Sequence, residues 1–266
     1  MKQMKQMKQM KQMKQMKQWI GVGLIAVGIS LAGCTISNNV IKVEEEKRQL
    51  ELPAESIEAL NIFTDSGDLI VKGDEKATVI HVEADIQSKN VKPEDIIITL
   101  EKDGNNATLR SEMNTDIGFN YVDITLTVTV PAQLPIALTD GSGDIDMTNL
   151  TGKITIEDDS GDIRLTNTNG EVEIRDQSGD ILIKDASALK LIEDDSGDIF
   201  MENTGGNVEI HDQSGDMVIR NHKGDVKISD QSGDMVIDTV EGNVLIENDG
   251  GGERAVQNIK GSYTSK

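Results

Sequence analysis

The chain of 266 residues has few aromatic residues (2%), four prolines, three histidines and a single cysteine. So few rings argue against the usual globular core, in which Phe, Tyr and Trp supply much of the buried area. Aliphatic stacking must take their place. One cysteine, Cys34, leaves no partner for a disulfide and no thiolate metal site. The histidines, His81, His211 and His222, are scattered, with no Ser-His-Asp order and no metal-ligand spacing. On these grounds the chain reads as non-enzymatic. Basic residues are also scarce: 26 Lys and Arg against 47 Asp and Glu give a formal net charge of −21. The first 33 residues hold six lysines and no acid, so the remainder carries −27, that is −21 − 6. A surface of that sign repels nucleic acid and anionic membrane surfaces, and nucleic acid is not an expected partner.

What the chain has in abundance is a register. Ser-Gly-Asp recurs every eighteen residues at Ser142-Gly143-Asp144, Ser160-Gly161-Asp162, Ser178-Gly179-Asp180, Ser196-Gly197-Asp198, Ser214-Gly215-Asp216 and Ser232-Gly233-Asp234. A fixed period marks a repeat architecture in which each unit buries its apolar face against its neighbours. A second glycine falls midway, at Gly152, Gly170, Gly206, Gly224 and Gly242, with Ala188 once in its place. Within each nine the third and fifth positions are apolar, as Ile163 and Leu165 or Val172 and Ile174, with Lys190 the exception among third positions. A spacing of two puts both on one face of a strand. Glycine and Asp or Asn at the ends supply positive-φ or side-chain-bonded turns. The expected fold is all-β: a β-solenoid, or β-helix, with two short strands per eighteen-residue coil. Analogy with related helices favours a right-handed coil. Six coils at about 4.8 Å give a rod roughly 29 Å long. The two corners differ. Asp158, Asp176, Asp194, Asp212 and Asp230 precede the Ser-Gly-Asp corners, whereas the other corner carries Asn149, Asn167, Asn203 and Asn221, with Asp185 and Thr239 as exceptions.

The N-terminus reads as a targeting segment. Six Met-Lys-Gln triplets occupy residues 1–18, and a signal starting at Met16 rather than Met1 would already be complete. Lys17 precedes an apolar run from Trp19 to Ala32 that ends in Leu31-Ala32-Gly33-Cys34. This resembles the bacterial lipoprotein lipobox. The resemblance implies cleavage before Cys34, acylation (palmitate among the chains) and a lipid anchor in the cell envelope. Several acyl chains hold where one is marginal. Thr35 follows the cysteine, so the Asp retention signal is absent and the outer membrane is favoured if the cell has two. The expected division is signal peptide 1–33, lipidated tether 34–54, irregular β segment 55–140, regular solenoid 141–250 and a C-terminal cap or tail 251–266. A helical turn is conceivable around Lys42–Arg48. Candidate strands of the irregular segment are Ala59–Phe63, Asp68–Lys72, Thr78–Ala84, Ile96–Glu101, Ala107–Ser111 and Val122–Val130. Ser66-Gly67-Asp68 is an isolated copy of the motif, as if the solenoid began early and was interrupted.

The irregular β segment, the strand ending in Thr-Val-Thr-Val-Pro131-Ala-Gln-Leu-Pro-Ile136 and the Gly-Asp-Ile repeats after it resemble the bacterial putative-adhesin family of β-strand-repeat domains of unknown function. The resemblance covers about residues 55–250. It implies a solenoid and an envelope location, and carries no catalytic residues.

Two surfaces invite chemistry. Asp162, Asp180, Asp198, Asp216 and Asp234 stack in one row, where like charges about 4.8 Å apart repel by about 0.9 kcal/mol in water and about 3.5 kcal/mol at an effective dielectric of 20. Turn hydrogen bonds to backbone N–H groups would offset this. Ca²⁺ between coils is the alternative, as in the RTX roll, but those units carry more glycine; weak or no specific Ca²⁺ binding is expected and no other cofactor. The fourth positions of the first-strand sheet run Asp146, Arg164, Leu182, Phe200, Val218, Val236. Four coils thus align an apolar stripe where polar residues are expected, which suggests a contact surface for a protein, a surface glycan or a second copy, unless residues 253–266 or the tether cover it. The reading is a lipid-anchored, non-catalytic, adhesin-like binding or scaffold module. The alternative is an envelope-stress or signalling accessory that binds a membrane partner.

Overall fold

The computed structural model describes residues 43–114 and 121–266. Cys34 and the signal segment lie outside the described residues. The described residues form strands joined by tight corners, with one 3₁₀ turn at Pro93–Asp95 and no α-helix. The N-terminal strands are β1 (Glu44–Pro53), β2 (Ala59–Thr64), β3 (Asp68–Asp74), β4 (Val79–Lys89), β5 (Ile96–Asp103), β6 (Asn106–Met113) and β7 (Tyr121–Pro131). The regular stack follows with β8 (Ile136–Asp140), β9 (Ile145–Thr148), β10 (Ile154–Asp158), β11 (Ile163–Asp176), β12 (Ile181–Asp194), β13 (Ile199–Glu202), β14 (Val208–Asp212), β15 (Met217–His222), β16 (Val226–Asp230), β17 (Met235–Val240), β18 (Val244–Asp249), β19 (Arg254–Ile259) and β20 (Tyr263–Ser265). β11 and β12 each run through a corner and serve both faces.

Pairing resolves these strands into two faces. The first runs β1, β4, β7, β3, β9, the leading halves of β11 and β12, then β13, β15, β17 and β19. The second runs β5, β6, β2, β8, β10, the trailing halves of β11 and β12, then β14, β16, β18 and β20. From β8 onward all contacts are parallel, with Ile145, Ile163, Ile181, Ile199, Met217 and Met235 in one file, eighteen residues apart. The third and fifth positions of the nines are buried between the faces, for example Ile181, Ile183, Ile192, Ile199 and Met201. Each such aliphatic side chain contributes on the order of 1.5–3 kcal/mol. The β-solenoid expected from the register is the observed architecture.

The isolated motif at Ser66-Gly67-Asp68 belongs to this stack. Gly67 N–H donates to Ser142 O at 2.9 Å, and Leu69 pairs with Ile145. The coil β2–β3 therefore stacks directly on β8–β9, and residues 75–135 are an insertion between the two in sequence, whose strands β6 and β7 lie parallel on the other side of β2–β3. That insertion turns back on itself: β4 pairs antiparallel with β7, and β5 antiparallel with β6. It builds the N-terminal end of the rod.

Three expectations change. The tether drawn to residue 54, with its conceivable helical turn, gives way to strand β1 over Glu44–Pro53, antiparallel to β4. Its alternate residues Glu46, Arg48, Leu50 and Leu52 are half-buried, a period of two that the surrounding charges obscure. Residues 254–266 are not a cover over the stripe but a further coil, β19 on β17 and β20 on β18. One extra residue is absorbed by a bulge at Ile228/Ser229. The irregular pair Ala188 and Lys190 lies in a stretch bounded by two register shifts, at Thr168/Glu171 and at Val172/Glu173: within it Val172 faces Leu189, which is buried, while Lys190 stays exposed.

Both ends of the core are closed by an arginine. Arg48 crosses from β1 to donate to Ile96 O at 2.6 Å and Pro93 O at 3.0 Å, with Glu46 beside it. Arg254, in the file of Met235, donates to Ser265 Oγ at 2.9 Å across the other end. Charged side chains at the end of a sheet blunt its open edge.

Candidate functional site: an apolar stripe beside an aspartate corner

Each Ser-Gly-Asp corner is tied to the one before it. The serine hydroxyls of Ser160, Ser178, Ser196, Ser214 and Ser232 donate to a carbonyl oxygen of the preceding coil, at 3.1–3.2 Å. The glycines have positive φ, and a Cβ on Gly179, Gly197, Gly215 or Gly233 would stand 1.7–1.9 Å from the carbonyl oxygen of the glycine one coil back. The aspartates form a ladder. Asp144, Asp162, Asp180, Asp198 and Asp216 each accept, through Oδ1, the backbone N–H of the aspartate one coil on, at 2.8–3.2 Å, and Asp234 accepts from Glu253 N–H at 2.7 Å. These bonds run between coils rather than within a turn, and they offset the repulsion along the row. Arg164 adds ion pairs to Asp144 and Asp162. Among the described residues no group of three or more His, Cys, Asp or Glu is placed to hold a metal ion.

The acidic residues that precede the motif behave differently, and this is what sequence reasoning missed. Asp140, Asp158, Asp176, Asp194, Asp212 and Asp230 are buried. Asp158, Asp176, Asp194, Asp212 and Asp230 each accept the N–H of the serine two residues on, at 2.9–3.3 Å. Burial pushes the carboxyls of Asp140 and Asp176 up to about 6, and those of Asp158, Asp194 and Asp212 up to about 7. Parity would have found them: Ile154, Ile156 and Asp158 fall on one side of the strand.

The opposite corner uses left-handed residues. Asn149, Asn167, Asp185, Asn203, Asn221 and Thr239 all have φ of 54–62°. Their amides are laddered, as in Asn167 Nδ2 to Asn149 Oδ1 at 2.7 Å. His222 is buried near this corner, its ring nitrogens 2.9 Å from Thr204 Oγ1 and 2.8 Å from Gly206 O, and desolvation lowers its pKa. His81 and His211 sit apart on the surface beside glutamates.

Leu182, Phe200, Val218 and Val236 fall in one file on the first face, Leu182 opposite Phe200, Phe200 opposite Val218, Val218 opposite Val236. Ala255 of the last coil extends the file. All four large residues are half-buried; their own neighbours in the file cover part of each. Lys184 and Arg220 lie 5.4 and 5.9 Å from the ring centre of Phe200, within cation–π range. With residues 254–266 stacked as a coil and residues 44–53 paired at the far end, neither covers this stripe.

A family model, Toastrack DUF4097, matches residues 9–187 and again 74–255. The chain belongs to the Toastrack DUF4097 family. Overlapping placements are what a repeating register allows. Solved structures similar to this chain include a putative adhesin from Bacteroides fragilis NCTC 9343, at 14% identity, 83% of this chain and 97% of that one, with a TM-score of 0.47. A putative adhesin from Parabacteroides distasonis ATCC 8503 shows 13% identity over 83% and 97%, with a TM-score of 0.46. A putative cell adhesion protein from Clostridium sporogenes ATCC 15579 shows 12% identity over 84% and 100%, with a TM-score of 0.35. No curated protein is matched by this chain.

Proposed function

We propose that this member of the Toastrack DUF4097 family is a non-catalytic contact module, adhesin-like in its action, held in the cell envelope by a lipid on Cys34. The observation that carries the reading is the stripe from Leu182 to Val236: apolar residues in outward register on four consecutive coils of a strongly acidic protein, left uncovered by its own C-terminal coil. At about 4.8 Å per strand the stripe is roughly 14 Å long. A rigid two-faced rod is suited to display and contact. Its repeated serines are engaged in holding coils together, which leaves them no nucleophilic role. The lipobox-like Leu31-Ala32-Gly33-Cys34 supports the anchor and Thr35 supports the outer membrane.

Phe200→Asp and Val218→Asp place acids on the face without entering the core; the first sets its carboxylate beside Lys184 and Arg220, the two cations that flank the ring. Both variants are expected to keep the wild-type melting temperature within a few degrees and to lose attachment of the purified protein to cells or to itself. Unchanged attachment would remove the stripe as the contact site. Surface labelling of intact cells separates the two roles. An inward-facing protein whose loss alters a stress reporter without altering attachment is an accessory, not an adhesin.

A further inference from the structure

The six buried aspartates stand in a single file along one corner. Asp140 pairs with Asp158, and each is followed by the next through Asp176, Asp194, Asp212 and Asp230. Each is 1–4% exposed. In Asp140, Asp158, Asp176, Asp194 and Asp212 the second carboxyl oxygen, Oδ2, is buried without a hydrogen-bond partner. Beyond Asp140 the file continues with hydroxyls. Thr64 is bonded to Asp140, and Ser111, opposite Thr64, has a buried, unpartnered Oγ. Adjacent members are about 4.8 Å apart. The charged groups that act on the file from the surrounding corners are carboxylates too: Asp65 and Asp159 on Asp140, Asp162 and Asp195 on Asp176, Asp195 on Asp194, Asp198 on Asp212. No Lys or Arg is among the principal groups acting on any of the five. Neighbouring N–H groups and, at Asp140, the Thr64 hydroxyl favour the charged form, but burial outweighs them: a carboxylate with no counter-ion and no partner at Oδ2 is costly in such a place, and a proton on Oδ2 removes the charge.

We propose that this file is a proton store built into the fold: its carboxyls carry protons in the folded solenoid, so that folding takes protons from solvent and the rod is tightened by acid and loosened by base. Each of the five sites from Asp140 to Asp212 binds up to one proton at Oδ2 as the chain folds and returns it on unfolding, with no other reactant.

The sign follows from linkage. Unfolded aspartates titrate near 3.9, and in the fold these carboxyls are raised to about 6 or 7. Between those values the folded state holds more protons than the unfolded one. The file's share of stability is therefore full below about pH 4, falls as the pH rises to about 7, and is level above that. His222 acts in the opposite sense, because a lowered pKa makes its charging oppose folding at low pH.

The deciding measurement is proton release when the wild-type protein is unfolded by urea at pH 6 in weakly buffered solution. More than one proton per chain is expected, even after His222 takes one up; a net release of zero, or net uptake, overturns the proposal. A second arm compares melting temperature between pH 5 and pH 8 for wild type and for D176N/D194N. The wild type is expected to lose several degrees over that range, and the amide variant to lose fewer, with its gain confined to the alkaline end. A variant as pH-sensitive as wild type would count against the file. The proton count does not depend on the variant folding.

Discussion

At Gly197 the backbone φ is +147°, and a Cβ would lie 1.8 Å from Gly179 O. Side chains there meet backbone, which cannot swing aside. Gly104, in the β5–β6 hairpin, has φ +62° with nothing within 4 Å of a Cβ. Gly197→Ala is expected to cost about 3 kcal/mol or more, as strain and overlap combine. Gly104→Ala should cost about 1–2 kcal/mol, from the left-handed conformation alone. Urea unfolding of the two variants checks the contrast, and equal costs would show that coil contact is not what demands glycine. The same close approach accounts for the serines. At this scale Ser-Gly-Asp is a device for stacking: serine bonds backward to a carbonyl, glycine permits the approach, and aspartate receives the next coil's N–H.

Single strands here are too short to stand alone, and their edges decide their behaviour. β17 and β18 are covered by β19 and β20, which leave the rod's end closed by Arg254 and Ser265. Ending the chain after Gly250 uncovers two strands lined by Met235, Ile237, Val244 and Ile246. The truncated protein is expected to self-associate, seen as a concentration-dependent shift in light scattering, because unpaired edges over an apolar core invite pairing. A monodisperse truncation would show that the last coil is dispensable. Elements also show where reading by pattern reaches its limit. Alternation places β2 through β7 within a few residues. β1 is hidden by its charges, because an edge strand at a rod's end buries only one side weakly. Lys190 reads as a flaw in the repeat, since a register shift changes which residue faces inward and periodicity carries no record of it.

Across the whole molecule, coils contribute stability through their own packing and through contacts with two neighbours. Deleting residues 177–194 joins Asp176 to Asp195 and preserves every corner, so a cooperative, shorter rod is expected, with an unfolding m-value reduced in proportion to the lost surface. Deleting residues 177–185 removes one strand instead. It would set each amide corner against an aspartate corner beyond the junction, and should abolish cooperative unfolding followed by circular dichroism. If both deletions fold equally well, the two corners are interchangeable and the file of buried aspartates has no unique seat.

The repeat, the two-stranded coil, the unlike corners and the alignment of Leu182, Phe200, Val218 and Val236 are all legible in the chain before it folds, because each follows from spacing along a backbone of fixed geometry. Three other outcomes required the folded rod: neither the last coil nor β1 covers the stripe, Ser66-Gly67-Asp68 joins the stack across an insertion, and one acidic row is sealed inside while the other faces solvent. They depend on where distant segments dock and on how little water reaches a carboxyl, and neither is a property of local spacing.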